Sequence, residues 1–212
     1  MNRGKYILIE GGEGGGKSTQ LEFLKTYLEK KGINPIVTKE PSGTEVSELI
    51  RGILLTKREE ELTSQAELFL YLAARSQLMS KVVVPALKEG KWVISDRGYP
   101  STIAYQGGGN KTPFRLIDFL NDYVITFDNE AIYPDLSFII TVPAEKGLKK
   151  ATQNGADRME SKGIDYHKEV LNGYKSCLMI KKLNPVEINY IEDDPEGMHK
   201  QIIKTLEERF RI

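Results

Sequence analysis

Gly11, Gly12, Glu13, Gly14, Gly15, Gly16, Lys17 and Ser18 stand in the order G-x-x-x-x-G-K-[ST]. That spacing builds a phosphate cradle. Glycines let backbone N–H groups approach an anion, the lysine reaches β- and γ-phosphates, and the hydroxyl ligates magnesium. Lys17 and Ser18 stand at the last two positions, with Thr19 next in line. A flexible glycine turn would need no particular flanks, but these flanks are specific. Lys5–Glu10 is an apolar run that reads as a buried strand, and Leu21, Leu24 and Leu28 recur at helical spacing. The loop therefore opens a helix, whose positive dipole end faces the same anion.

Other chemistry-bearing residues also follow apolar runs. Trp92–Ser95 leads into Asp96 and Arg97, then Gly98, Tyr99, Pro100, Ser101 and Thr102. In α/β sheets ligands gather at the carboxyl ends of strands. There an aspartate can hold magnesium or its waters and an arginine can fork onto phosphate; the two can also simply pair with each other. Tyr105 and Gln106 follow, a ring and an amide ahead of three glycines. Pro35–Lys39 leads into Glu40, in a Pro41–Gly43 turn with Thr44 placed to cap the next helix. The Glu40 carboxylate fits a ligand contact or a capping or surface role. Arg51 lies on that next helix, where an exposed arginine is the plain alternative to a ligand contact.

Tyr71 and Arg75 are four residues apart in a stretch rich in Leu and Ala, hence on one helix face. Two readings stand. The pair meets a ligand carrying a ring and a phosphate, or the arginine stem packs along the helix with its head in water. A polar break at 154–165 contains Asp157, Arg158, Met159 and Glu160, with Lys149 and Lys150 before it. It reads as a lid over a phosphotransfer site or as a solvated loop. His167 and His199 lack paired ligand spacing, so no zinc site is expected.

The frame for these residues is one sizeable core of 212 residues. Lys+Arg and Asp+Glu are both 30, which gives no global basic field for nucleic acid. No apolar run approaches the roughly 18 residues of a membrane span. The short lead before the first strand leaves no room for a signal peptide, and the single cysteine, Cys177, cannot close an intrachain disulfide. A cytoplasmic setting and a buried, unreactive thiol are expected. Strands are predicted at Tyr6–Glu10, Pro35–Lys39, Trp92–Ser95, Leu136–Val142 and Glu187–Ile191. Helices are predicted at Lys17–Lys31, Thr44–Leu55, Ser64–Glu89, Pro113–Thr126, Ala144–Asn154, Tyr166–Leu183 and Pro195–Phe210. Their alternation predicts an α/β fold: a parallel five-stranded sheet with helices on both faces, in a single domain.

These motifs resemble the thymidylate kinases of the bacterial kind over nearly the whole chain. The likeness rests on Glu10–Ser18, Glu40–Thr44, Ala73-Ala74-Arg75, Asp96-Arg97 and Ser101–Gly107. It continues through Pro134-Asp135-Leu136, Asp157–Glu160, Tyr166-His167 and Gly173-Tyr174. The resemblance implies a P-loop kinase fold with a small mobile lid at about 144–166, and transfer of the γ-phosphoryl of ATP to dTMP. It implies ATP and Mg²⁺ held by Gly11–Thr19, with Ser18 and Asp96 on the metal. Arg97 and Arg75 would face the dTMP phosphate and base region, and Glu40 and Arg51 would line the acceptor pocket. Tyr71 would stack on thymine, with Thr102 and Gln106 at the base edge. Tyr105 would crowd the 2′ position, Glu13 would contact the 3′-hydroxyl, and Arg158 would be the catalytic lid cation. A homodimer through Ser64–Glu89 is implied as well.

The chain departs from the family pattern at several places. Tyr71 replaces the usual Phe, and Gly98 replaces an aromatic or histidine and is expected to loosen its loop. Thr141 stands where an aspartate is usual, and the lid is poorer in arginine. Glycines at 14 and 15 exclude the type with an arginine inside the P-loop. Two other functions compete. Another P-loop kinase acting on a small metabolite or nucleoside would not need Asp96-Arg97 with a separate Arg75. A nucleotide-loaded switch binding GTP would need Asn-Lys-x-Asp, which is absent. Lys17→Ala is expected to lower kcat by about 10²–10³ and leave the fold intact, the loss seen for one preorganised charge stabiliser. Steady-state kinetics with circular dichroism check it; near-normal kcat in a folded variant would refute the P-loop assignment.

Overall fold

Residues 3–212 are described by the structure, a computed structural model. The chain runs β1 (Tyr6–Gly11), α1 (Lys17–Lys30), β2 (Ile36–Lys39), α2 (Glu45–Leu55), α3 (Ser64–Leu78) and α4 (Val84–Lys88). It continues through β3 (Val93–Asp96), α5 (Tyr99–Thr102), α6 (Phe114–Val124), β4 (Thr126–Phe127), β5 (Glu130–Ala131) and β6 (Leu136–Thr141). It closes with α7 (Ala144–Ala151), α8 (Ile164–Cys177), β7 (Pro185–Asn189) and α9 (Pro195–Phe210).

Five strands form one parallel sheet in the order β2-β3-β1-β6-β7. Period-two alternation decides which layer each strand residue joins. Ile7 and Ile9 of β1 meet Leu21, Leu24 and Leu28 of α1 and Ile202 and Leu206 of α9. Tyr6 and Leu8 point to the other face, into a layer with Leu78, Ile103, Val170, Tyr174 and Cys177. The sheet is thus covered on both sides, as its nearly continuous apolar strands require. Cys177 is fully buried, and burial pushes its thiol well above the usual range.

This order brings β1 beside β3, with Ile9 opposite Asp96. β3 also neighbours β2, with Lys39 opposite Asp96. The loops after all three strands therefore leave the same edge of the sheet together. Thr44 accepts from the Ser47 N–H at 3.1 Å and caps α2 as expected.

Four details differ from the sequence reading. The single helix expected at Ser64–Glu89 is broken by a π-helical turn at Met79–Val83, just before Pro85, which has no N–H to continue the ladder. A second π-helical stretch, Ile103–Gly109, carries Tyr105 and Gln106. The small β4–β5 hairpin was not expected; Asp128 and Asn129 supply its two positive φ values, 52° and 65°. Within 144–166, the segment expected as a mobile lid, the first part is a helix held against the phosphate loop. α7 packs against the phosphate loop: a Cβ on Gly147 would lie 2.2 Å from the Glu13 carbonyl oxygen, and one on Gly14 would lie 2.1 Å from that of Gly147. Only the connection between α7 and α8, with its short turns at Thr152–Asn154 and Glu160–Lys162, lies outside the long helices.

Gly147→Ala should therefore push on the backbone of the phosphate loop. Overpacking of this kind costs about 1–3 kcal/mol. Thermal unfolding should show that loss, and ATP titration should show weaker binding. Unchanged ATP affinity would refute the contact.

Candidate active site

Gly11, Gly14 and Gly16 hold φ values of 141°, 64° and 80°. Such values favour glycine, and here they curl the loop over the start of α1. No side chain caps α1, so its first-turn N–H groups are left to the loop. Lys17 Nζ donates to the Gly12 carbonyl at 2.8 Å. The lysine is buried, and burial together with the nearby Arg97 brings its pKa down to about 8. Ser18 and Asp96 line one hollow with Thr38 and Lys39. Asp96 is buried, its Oδ2 lies 3.7 Å from Lys39 Nζ, and its Oδ1 has no protein partner among the described residues. An unpartnered carboxylate oxygen and a hydroxyl lining one hollow are a donor set that suits a magnesium ion.

Next to the loop lies a cavity of about 190 Å³. A single water needs roughly 10–15 Å³, so there is room for an organic ligand. Glu13, Glu40, Arg51, Tyr71, Arg75, Arg97, Thr102, Tyr105 and Gln106 all line it. The residues named from sequence on four separate segments thus converge on one space.

Arg97 joins this cavity to the phosphate loop. Its φ is 75°, an unfavourable left-handed value for a residue with a side chain. Its N–H donates to Ile9 at 3.1 Å, and its carbonyl accepts from the Ser95 hydroxyl at 2.8 Å. Turned this way, Nη2 lies 2.8 Å from Glu13 Oε1, and Nη1 donates to the Tyr174 hydroxyl at 2.9 Å. Tyr105 donates to the same Glu13 oxygen at 2.5 Å. Burial would raise the Glu13 pKa, but Arg97, Lys17 and the Tyr105 hydroxyl hold it down at about 2. Glu13 is a carboxylate throughout the working pH range.

Arg75 overturns both sequence readings. It is 2 % exposed, so its head is not in water. Nor is it open to a phosphate. Nε donates to both Glu40 oxygens at 2.9 and 3.0 Å, and Nη2 donates to Glu40 Oε2 and to the Gly98 carbonyl, both at 2.6 Å. Nη1 donates to Thr102 Oγ1 at 2.7 Å and to Asn121 Oδ1. All five guanidinium N–H donors are engaged. Arg75 is a strut that fixes Glu40, Thr102 and the loop after β3.

Two more expectations change. Arg158 does not line the cavity: its Nη1 pairs with Glu67 at 2.7 Å, and its Nε donates to the Leu54 carbonyl at 2.5 Å. To meet a transferring phosphoryl it would first have to release Glu67. Its neighbours Asp157 and Glu160 cap their own turn instead of pairing with it. Gly98 does not loosen its loop: a Cβ there would lie 2.8 Å from Leu8 Cδ1 in the core, so the missing side chain lets the loop pack closely.

A thymidylate kinase family model matches residues 9–202. The thymidylate kinase of Methylococcus capsulatus is 37% identical over 195 residues, covering 92% of this chain and 89% of that protein. That of Carboxydothermus hydrogenoformans is 40% identical over 173 residues, covering 81% and 83%. The crystal structure of thymidylate kinase from Ehrlichia chaffeensis matches with a TM-score of 0.77 at 32% identity, covering 97% of this chain and 99% of that one. The chain belongs to the thymidylate kinase family. The departures from the family pattern now have surroundings. Tyr71, in place of the usual Phe, lines the cavity, and its hydroxyl makes no hydrogen bond among the described residues. Thr141, in place of the usual thymidylate kinase aspartate, donates to Glu187 at 2.9 Å.

Several residues were given no chemical role by the sequence. Asn121 and Tyr174 complete the polar networks behind the cavity. Glu10 ends the apolar run of β1 and opens the Glu10–Ser18 motif, and neither position told that its carboxyl would be buried. It is fully buried; Oε2 accepts from Ser101 at 2.7 Å and from Tyr174 at 3.1 Å, while Oε1 has no partner among the described residues. Burial outweighs the nearby Arg97 and pushes its pKa from 4.5 up to about 7. An acid whose pKa rises on folding favours the folded state at low pH, and that contribution fades as pH climbs through the folded value. Between pH 4.5 and 8, Glu10→Gln should gain roughly 3 kcal/mol in stability relative to the unmutated chain, at about 1.4 kcal/mol per pKa unit. Urea unfolding across this range checks it; a difference independent of pH would refute the buried, protonatable Glu10.

Proposed function

We propose that this chain transfers the γ-phosphoryl of ATP to dTMP, giving dTDP and ADP. The observation that carries this reading is the adjacency of a phosphate loop and an organic-sized cavity across the Glu13–Arg97 pair. Phosphoryl transfer asks mainly for positioning and charge, and the site supplies both. The N–H groups of Gly11–Thr19 cradle the ATP phosphates, with Lys17 on the β- and γ-phosphates. Ser18 and Asp96 would hold a magnesium ion, which neutralises charge on the donor phosphates when bound.

On the acceptor side, Arg51 lines the cavity and makes no ion pair among the described residues. It is free of an ion pair, and Arg97, though paired with Glu13, keeps an Nε that makes no hydrogen bond among the described residues, whereas every Arg75 donor is used; so Arg51 and Arg97 take the acceptor phosphate. Tyr71 offers its ring face to the base, and Thr102 and Gln106 its edge. Glu13 and Tyr105, bonded to each other, wall the sugar. Two arginines at one cavity favour a phosphorylated acceptor over a free nucleoside.

A homodimer belongs to the same reading. Phe69 on α3 and Phe119 and Tyr123 on α6 are 57%, 68% and 73% exposed, and the two helices pack together. A second copy covering this face would bury all three rings. No helix among the described residues is long and apolar enough to cross a membrane, and a cytoplasmic setting goes with nucleotide synthesis.

A coupled assay over a panel of monophosphates tests the acceptor. dTMP should exceed dUMP by roughly 10–200-fold in kcat/KM, the worth of one methyl in a pocket. UMP should be lower still, because the Tyr105 ring opposes a 2′-hydroxyl. UMP or AMP outperforming dTMP would overturn the reading.

A further inference from the structure

Glu67 lies on α3, is 1 % exposed, and has been given no part in binding or transfer above. Its Oε1 accepts from Gln106 Nε2 at 2.9 Å and Asn110 Nδ2 at 2.7 Å. Its Oε2 accepts from Lys162 Nζ at 2.9 Å and pairs with Arg158 Nη1 at 2.7 Å. Four donors use the full capacity of an ionised carboxylate. Burial acts to raise its pKa, yet Lys162 and the bonds from Gln106, Lys162 and Arg158 hold the carboxyl below its usual range. At neutral pH it can only accept.

That fixes Gln106. An amide has an NH₂ end and a carbonyl end, and only the NH₂ end can face a carboxylate. The carbonyl end is left for the cavity that Gln106 lines, and no protein donor reaches Oε1 among the described residues. An oxygen in that place asks the ligand for a hydrogen. Thymine and uracil carry a ring N–H between their two carbonyl groups. Cytosine carries a bare ring nitrogen at the same position, which would meet the amide oxygen lone pair to lone pair. We propose that Glu67 is a positioning residue that sets base specificity: by holding the Gln106 amide in one orientation, it makes the cavity select imide bases over 4-aminopyrimidines. The inference rests on dTMP being the acceptor. It gives the carboxylate a role at the base edge that simple anchoring of Arg158 and Lys162 would not require.

The test is the ratio of kcat/KM for dTMP over dCMP. Removing the acceptor with Glu67→Met frees the amide to turn, and the ratio should fall at least about tenfold, since a site built around one hydrogen bond discriminates strongly. In a Gln106→Met background the same replacement should leave the ratio unchanged within about twofold, because the residue acts through that amide. A folded Glu67→Met enzyme that loses kcat equally on both substrates, with the ratio intact, would overturn the proposal and leave Glu67 a support for the 158–162 turn. If Glu67→Met does not fold, the ratio is read on Glu67→Gln, which keeps the shape and one acceptor. There a drop of at least about threefold is expected, and no change overturns the proposal. An unmutated enzyme that does not phosphorylate dTMP would instead refute the acceptor reading itself.

Discussion

The ion pair between Arg97 and Glu13 is the contact on which the rest of the site depends. It joins the loop after β3 to the loop after β1, and so joins the cavity to the phosphate loop. Both residues are largely withdrawn from water, so neither charge is tolerable without the other. Arg97 reaches Glu13 only from a left-handed backbone, and that conformation persists because the surroundings over-determine it. The Ile9 carbonyl, the Ser95 hydroxyl and Tyr174 hold it from three sides. Tyr105 then binds the Glu13 oxygen already turned toward Arg97, and its ring lies 5.0 Å from the guanidinium carbon. One buried pair thus orients the Tyr105 ring, the Arg97 guanidinium and the rim of the phosphate loop.

Two further buried networks hold the cavity walls. Arg75 ties α3 to Glu40 after β2, to the Gly98 carbonyl and Thr102 after β3, and to Asn121 on α6. Glu67, two turns earlier on α3, ties the helix to Gln106, Asn110 and the turn at 158–162. Removing one partner from such a network leaves an uncompensated buried charge, at about 3–5 kcal/mol. The networks therefore fix two neutral groups of residues that line the cavity: the Thr102 hydroxyl and the Gln106 amide. α3 is the beam for both, and its opposite face carries the exposed Phe69.

Much of this was legible in the sequence where the chemistry is local. The phosphate loop, the Thr44 cap and the acid–arginine step after β3 are written within a few residues, and each formed where expected. Parallel alternation placed these strand ends on one edge, which is why the acceptor residues converge. Partners distant in sequence were not legible. Helical spacing showed that Arg75 shares a face with Tyr71, but its carboxylate partner Glu40 and its amide partner Asn121 lie 35 and 46 residues away. Arg158 looked free for the same reason, its carboxylate being 91 residues upstream on α3. Gly98 was misread because its neighbour is Leu8, on a strand far back in the chain. The π-helical turns escaped notice because such turns are rare, short and carry no residue signature of their own.

The most direct measurement is a double-mutant cycle on the central pair, with Arg97→Met and Glu13→Gln, read by urea unfolding without nucleotide. Each single replacement leaves the opposite side chain buried without its charge partner, and each should destabilise the fold. If the pair joins the two loops as described, the double variant should recover part of the summed loss, with a coupling of about 0.5–3 kcal/mol. Costs that add to within about 0.5 kcal/mol would show two independent charges and contradict the account.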